Sequence, residues 1–104
     1  MVRIESPAQL SRHVLSASKA LLLFTKLGCP DGQFVKERMF RIADRNSSLV
    51  VAFADIDLVP GLARILNIGS TPTVVLFRRG VRMSELSGRL SGMQLQDLVD
   101  SVLW

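Results

Sequence analysis

The hydrophobic and polar positions of this chain follow two periods, that of a strand and that of a helix. Residues 20–24 are all apolar, which is typical of a strand covered on both faces. Residues 49–56 and 73–77 are mostly apolar and rich in β-branched side chains, and they predict two further strands. Residues 33–45 place apolar side chains at helical spacing with arginines on the other side, which predicts a helix of about four turns. Strands and helices that alternate in this way indicate an α/β fold.

Capping signals place three more helices. In the segment Ser-Pro-Ala-Gln at 6–9 the serine is an N-cap, the proline takes the first helical position and the glutamine completes a capping box. The buried stripe predicted for this first helix is Leu10, Val14 and Ala17. Pro60 begins a short helix that ends at Asn67, and Ser-Gly-Met-Gln at 91–94 is a second capping box before a final amphipathic helix. The stripe of that last helix extends to Val102 and Leu103.

A hairpin closes the predicted sheet. Arg79 and Gly80 separate the strand at 73–77 from a strand that starts at Val81, and Gly80 is suited to the positive φ of a tight turn. Residues 2–4 predict a short first strand. The predicted order is therefore β-α-β-α-β-α-β-β-α, with a central mixed sheet flanked by helices. Because no repeat or linker interrupts this order, we expect a single domain over residues 1–104.

The charge of the chain is basic, with 13 Lys and Arg against nine Asp and Glu and a formal net charge of +4. These cations, Lys19 among them, are scattered, and no aromatic platform for stacking on bases lies between them. We therefore interpret them as a solvated surface and expect no nucleic-acid binding. The basic helix at 33–45 is instead a candidate surface for a protein partner. No apolar run approaches the length of a membrane span.

The only cysteine, Cys29, carries the most informative chemistry. It lies in Leu-Gly-Cys-Pro-Asp-Gly at 27–32, between the end of a predicted strand and the start of a helix. Unpaired N–H groups and the positive end of the helix dipole favour a thiolate there. Asp31 disfavours a second negative charge nearby, and Lys26 offsets it. One cysteine cannot form an internal disulfide, which predicts a reducing intracellular compartment, the cytoplasm or the mitochondrial matrix.

With this order of elements, with Cys29 at the end of the second strand and Ser-Thr-Pro-Thr at 70–73 before the hairpin, the chain resembles thioredoxin. The resemblance covers nearly all of the 104 residues. Cys-Pro-Asp-Gly at 29–32 stands where that family has Cys-Gly-Pro-Cys. Further matches are Ile-Ala-Asp at 42–44, Val-Ala at 51–52, Ile-Asp at 56–57, Leu-Phe at 76–77, Arg-Gly at 79–80 and Gly88.

The resemblance implies the thioredoxin fold and a surface that holds an extended peptide. In the family a cis peptide bond before the residue matched by Pro72 turns the backbone of the preceding residue, here Thr71, toward the thiol. Such bonds are found in only about 5–6% of X-Pro pairs in folded proteins. The peptide-binding or partner-binding positions that the resemblance implies are Gly28, Cys29, Pro30, Asp31, Thr71, Pro72 and Gly88.

The chain departs from the family at the positions that carry its redox chemistry. Gly32 stands in place of the resolving cysteine, so a mixed disulfide at Cys29 would persist until an external thiol released it. Leu23 replaces the buried acid and Phe53 replaces its lysine partner, which removes the proton-transfer pair. Gly28 and Thr25 replace two tryptophans. These changes together predict a scaffold that has lost dithiol exchange.

Three interpretations of Cys29 stay open. In the first, the thiol only caps the helix, with Pro30 and Asp31 in its first turn. In the second, it forms mixed disulfides with glutathione or a protein. In the third, it holds an iron–sulfur cluster with glutathione, but the chain lacks the Cys-Gly-Phe-Ser sequence of monothiol glutaredoxins.

We predict an interaction or structural module, a subunit of a larger assembly, with neither a metal nor a cofactor. The alternative is a monothiol oxidoreductase or glutathione-linked redox protein that uses Cys29. Under the first prediction the protein is not an enzyme; under the second it catalyses thiol–disulfide exchange.

Overall fold

Five strands and four helical segments make up the computed structural model, which describes residues 1–102. The strands are β1 Val2–Arg3, β2 Lys19–Thr25, β3 Val50–Asp55, β4 Thr73–Arg78 and β5 Val81–Ser87. The helices are α1 Pro7–Gln9, which continues as a π-helical segment over Leu10–Leu15, α2 Pro30–Arg45, α3 Pro60–Ile65 and α4 Gly92–Asp100. The strands form one mixed sheet in the order β1-β3-β2-β4-β5, which confirms the predicted α/β class and element order. Leu103 and Trp104 lie outside the described residues.

The sheet is built around β2, which pairs with a strand on each side. Leu22 lies opposite Ala52 in the parallel strand β3 and opposite Val75 in the antiparallel strand β4. Every residue of β2 except Thr25 is buried. The continuous apolar run at 20–24 is therefore a central strand, as its pattern predicts.

Alternate side chains of β2 enter two hydrophobic cores, one on each face of the sheet. Leu21 and Leu23 pack in the core that α2 and α4 cover. Leu22 and Phe24 pack in the core covered by α3 and the first helix. Since burying one such side chain stabilises a fold by about 1.5–3 kcal/mol, β2 is held firmly in register. Among the described residues no helix is long and apolar enough to cross a membrane.

The first helix differs from the regular amphipathic helix expected. Ser6 caps it by accepting from the Gln9 N–H, but the Gln9 side chain accepts from the N–H of Glu5 rather than from that of Ser6. The Ser16 hydroxyl donates to the Arg12 carbonyl, which a regular helix would offer to the Ser16 N–H. That N–H bonds to Ser11 O instead, at 3.2 Å, and so widens the turn to π geometry.

The hairpin between β4 and β5 uses positive φ at both turn residues. Gly80 has φ of +80°, as its position predicts, and Arg79 has φ of +49°, which the sequence analysis did not anticipate. Positive φ at both central residues is the geometry of a two-residue turn whose twist matches the strands. Asn67, where the α3 pattern ends, also has positive φ, at +56°.

Lys19 is a charged side chain inside the fold. It is only 2% exposed, so the expectation of a solvated cation is wrong here. Its Nζ donates to the Val102 carbonyl at 2.5 Å. Desolvation by burial lowers the pKa of Lys19 from its ordinary value of 10.5; Asp100 raises it and Arg78 lowers it further, both by charge.

The Lys19 pKa predicts a pH dependence of stability. Because the pKa is lower in the folded state, the unfolded state binds more protons in the window just below pH 10.5, and the free energy of unfolding should rise with pH through that window. Lys19→Met removes this contribution, so its stability relative to the native protein should be highest near neutral pH and should fall as the pH approaches 10.5. Urea unfolding at several pH values measures the difference. Lys26→Met, at an exposed lysine, is the control, and parallel profiles for Lys19→Met and the native protein would refute the prediction.

Candidate functional site

Cys29 is the N-cap of α2. Its Sγ accepts the N–H of Gly32 at 3.4 Å, and its own N–H donates to the Lys26 carbonyl at 3.1 Å. Pro30 takes the first helical position and Asp31 lies in the first turn. Gly28, just before the cap, has φ of +81°, a conformation that side chains other than glycine rarely adopt. The capping role predicted for Cys29 is thus present, and its half-buried thiol also remains partly accessible.

Gly32 stands where the resemblance places the second cysteine, and there is no room for a side chain. A Cβ built on Gly32 would lie 2.0 Å from Thr25 Oγ1 and 3.3 Å from Thr25 Cβ. Thr25 is the last residue of β2 and is one of the positions where a family tryptophan is replaced. The hydroxyl of Thr25 therefore occupies the space beside the helix that a resolving side chain would need.

The two positions where the resemblance implies a proton-transfer pair lie side by side. Leu23 in β2 and Phe53 in β3 are register partners. Leu23 is fully buried, whereas Phe53 is half-buried. The Phe53 ring centroid lies 3.8 Å from Lys36 Nζ and 5.4 Å from Arg3 Cζ. Both positions are therefore hydrocarbon, and two cations lie over the Phe53 ring.

A cavity of about 510 Å³ opens beside Cys29 on the side of α2 and β3. It is lined by Arg3, Thr25, Lys26, Leu27, Gly28, Cys29, Pro30, Gln33, Lys36, Phe53, Asp55 and Leu58. Sequence analysis singled out residues 27–32 around Cys29, called here the Cys29 loop, but gave no role to Arg3, Asp55 or Leu58. No sequence motif joins these residues, because they come from different elements and meet only in the folded chain.

The predicted partner-binding residues converge on one end of the sheet. Phe24 pairs with Thr73, which brings the segment before β4 beside the end of β2. The Thr71–Pro72 peptide bond is cis, the geometry that the resemblance implies. The Pro72 carbonyl accepts the N–H of Gly88 at 2.9 Å, and Gly88 has φ of +100°. The Cys29 loop, Thr71–Pro72 and Gly88 thus lie where β2 ends, β4 begins and β5 ends.

Thr71 offers backbone groups at this end of the sheet. Its side chain is half-buried, and within residues 1–102 neither its N–H nor its carbonyl has a hydrogen-bond partner. Backbone groups outside secondary structure are suited to pairing with an extended segment of another chain.

An ion pair ties the start of α2 to the loop after β5. Arg89 Nη1 lies 3.2 Å from Asp31 Oδ1, and Arg89 Cζ lies 3.7 Å from the Phe34 ring centroid. Arg38, one turn further along α2, lies 3.4 Å from the same centroid. The pair is exposed, so its contribution to stability is small, about 0–1 kcal/mol. Sequence analysis assigned Asp31 to the site but did not find Arg89 or Phe34.

Within the described residues, no group of three or more His, Cys, Asp or Glu side chains is placed to hold a metal ion. Cys29 is the only thiol in the sequence, and an iron–sulfur cluster held by thiolates needs further cysteines. The residues of this chain do not by themselves form an iron–sulfur site.

Comparison with solved structures identifies the fold as that of thioredoxin. The structure matches a mutant thioredoxin from Halobacterium salinarum NRC-1 with a TM-score of 0.91 and 24% identity, over 96% of this chain and 88% of that one. It matches mitochondrial thioredoxin 3 from Saccharomyces cerevisiae, in the oxidised form, with a TM-score of 0.89 and 14% identity, over 98% and 95%. These likenesses cover nearly all of the chain.

Sequence relatives agree with the fold, although no protein-family model matches the chain. The chain is 28% identical over 102 residues to probable thioredoxin-2 of Caenorhabditis elegans, covering 96% of this chain and 70% of that protein. It is 28% identical over 75 residues to thioredoxin C-3 of Corynebacterium nephridii, covering 72% and 52%. These comparisons support a thioredoxin-like protein, and the single cysteine fits a divergent member of that family.

The contact between Thr25 and Gly32 predicts that Gly32→Ala destabilises the protein, although glycine-to-alanine substitutions in helices usually stabilise. Gly→Ala in a helix ordinarily stabilises by about 1 kcal/mol. Gly32→Ala should instead lower the free energy of unfolding by about 1–3 kcal/mol, because the new methyl group meets Thr25 Oγ1. In a Thr25→Ala background most of this loss should disappear. Urea unfolding of the native protein, both single variants and the double variant measures the coupling.

Gly61→Ala is the matched control for this cycle. Gly61 lies in α3, and a Cβ there would meet nothing within 4 Å, so the substitution should stabilise the protein by a few tenths to about 1 kcal/mol. An equal loss for Gly32→Ala in both backgrounds would show that the Thr25 hydroxyl does not exclude a side chain at position 32.

Proposed function

We propose that this protein is a thioredoxin-like interaction module, a subunit of a larger assembly that does not perform dithiol exchange. The observation that carries the proposal is the space at Gly32, which the Thr25 hydroxyl occupies. A resolving sulfur is absent from the sequence, and its place beside Cys29 is filled. The apolar pair Leu23 and Phe53 supports the same conclusion, because neither side chain can accept or donate a proton.

The proposed partner site is the end of the sheet formed by Gly28–Asp31, Thr71–Pro72 and Gly88. Thr71 supplies the unpaired backbone groups, and an extended segment of the partner would pair with them as an added strand does. Gly28 and Gly88 carry no side chains to obstruct its approach. The basic face of α2 is a second surface within reach of an acidic partner, since Arg41 and Arg45 are exposed. We further propose a reducing compartment, the cytoplasm or the mitochondrial matrix.

One observation favours a second function, that of a monothiol oxidoreductase. The half-buried Cys29 Sγ lies at the N-terminus of a 16-residue helix and lines an open cavity. In that reaction the Cys29 thiolate attacks a disulfide, one Cys29–sulfur bond forms, the original S–S bond breaks and a thiolate leaves. A second external thiol, glutathione in the simplest case, then releases Cys29 and leaves as part of a new disulfide.

The first test of the module concerns partner capture from the native cell extract. Thr71→Arg should abolish retention of the protein that travels with the native chain, because a long charged side chain obstructs the backbone groups. Ser47→Arg, an exposed position after α2, carries the same charge change and should retain it. Cys29→Ser should also retain it, since the proposed contact is not covalent. If Cys29→Ser lost the partner and Thr71→Arg retained it, the result would contradict the proposed module and favour mixed-disulfide formation by Cys29.

The second test concerns the thiol. We expect no turnover in reduction of insulin disulfides, and no stoichiometric adduct after incubation with oxidised glutathione at neutral pH. Intact mass of the native protein and of Cys29→Ser measures the adduct, and a dithiol thioredoxin in the insulin assay is the positive control. One glutathione per chain, present in the native protein and absent from Cys29→Ser, would favour the monothiol function. Sustained insulin reduction would contradict both.

A further inference from the structure

The cavity beside Cys29 carries an excess of positive charge. Three of its lining residues are cations, Arg3, Lys26 and Lys36, and one is an acid, Asp55. Within residues 1–102 none of the three cations forms an ion pair. Asp55 Oδ1 accepts the N–H of Asp57 at 2.8 Å, so part of its charge is used within its own turn. The cavity is therefore electrostatically complementary to an anion.

Two of these cations are brought together from distant parts of the chain. Arg3 in β1 and Lys36 in α2 both approach the ring of Phe53, at 5.4 Å and 3.8 Å from its centroid. Like charges held near one ring repel each other, and an anion between them lowers that repulsion. The aromatic ring holds both cationic side chains in place without neutralising their charge, so the anion site is preorganised.

The mouth of the cavity is apolar. Leu27 is 87% exposed and Leu58 is 65% exposed, and both line the cavity together with the ring of Pro30. Large apolar side chains with this exposure on a cavity wall offer surface that an apolar ligand would remove from water. An inorganic anion would use the cations and leave these leucines exposed. A neutral apolar molecule would leave the cations without a counter-charge.

We infer that this cavity binds a small amphiphilic organic anion, in which a carboxylate is joined to an aliphatic or aromatic body. The carboxylate would lie among Arg3, Lys26 and Lys36, and the body would cover Leu27 and Leu58. A volume of about 510 Å³ is within the range of small-molecule sites. The inference goes beyond the proposed partner site and does not rest on it, because Thr71, Pro72 and Gly88 do not line this cavity.

The experiment is a titration of the isotopically labelled protein with decanoate, kept below its micelle concentration and followed by amide chemical shifts. Acetate supplies the charge alone and decanol the apolar body alone. We expect saturable shifts with decanoate, centred on residues that line the cavity, and at least about tenfold weaker binding of acetate and of decanol. Raising the salt concentration should weaken the binding of decanoate.

Matched variants locate the site. Lys36→Gln should weaken decanoate binding about tenfold or more, whereas Arg41→Gln, an exposed cation on the same helix, should leave it unchanged. Leu58→Ser should weaken it, whereas Ile65→Ser, at a side chain that is 76% exposed and outside the cavity, should not. Arg3→Gln replaces Lys36→Gln if the latter does not give a folded spectrum.

A second readout uses the thiol that lines the cavity. Bound decanoate should slow the alkylation of Cys29 by iodoacetamide, and acetate should not. Equal decanoate affinity for the native protein and Lys36→Gln, or for Arg3→Gln where it replaces Lys36→Gln, would overturn the inference. Shifts spread over surfaces away from the cavity would overturn it too. Neither result would affect the proposed partner site, which the Thr71→Arg capture tests separately.

Discussion

The structure depends on the complete burial of β2. Because this strand pairs with β3 and β4 and is covered on both faces, its register cannot slip without exposing one core and filling the other with the wrong side chains. The C-terminal end of β2 is therefore held in one position. This strand end positions Thr25, the Cys29 loop and the start of α2. The pairing of Phe24 with Thr73 places the cis Thr71–Pro72 bond beside it.

At this end of β2 the chain differs from the thioredoxin pattern in the groups that the resemblance assigns to redox chemistry. A glycine, a threonine and two hydrophobic side chains occupy positions where the resemblance implies a sulfur, an aromatic ring and a buried charged pair. Thr25 and Gly32 fit together, because the Thr25 hydroxyl fills the space that a side chain at position 32 would occupy. Replacing a buried charged pair with hydrocarbon often leaves stability unchanged or raises it by about 1–4 kcal/mol. Hydrophobic side chains at these two positions are therefore compatible with a stable scaffold.

What remains at the site is a set of groups suited to binding. The thiol caps α2, the backbone of Thr71 has no partner within residues 1–102, and Gly88 is hydrogen-bonded to Pro72. On the other side of Cys29, cations from β1 and α2 gather around Phe53 and line a cavity. The two surfaces share Gly28, Cys29 and Pro30 but differ in chemistry, one offering backbone hydrogen bonds and the other charge with an apolar rim.

The sequence by itself determined the element order, because continuous apolar runs, helical spacing and capping residues are local signals. It also located Cys29 at a helix start and Gly32 at the position where the resemblance implies a second cysteine. Tertiary structure alone decided the rest. Lys19 appears as a scattered cation until the fold buries it, and the π turn depends on where the Ser16 hydroxyl bonds. Arg3, Lys36 and Phe53 are far apart in sequence and acquire a joint role only when β1, α2 and β3 meet, since periodicity and capping record a residue's neighbours along the chain but not those across the fold.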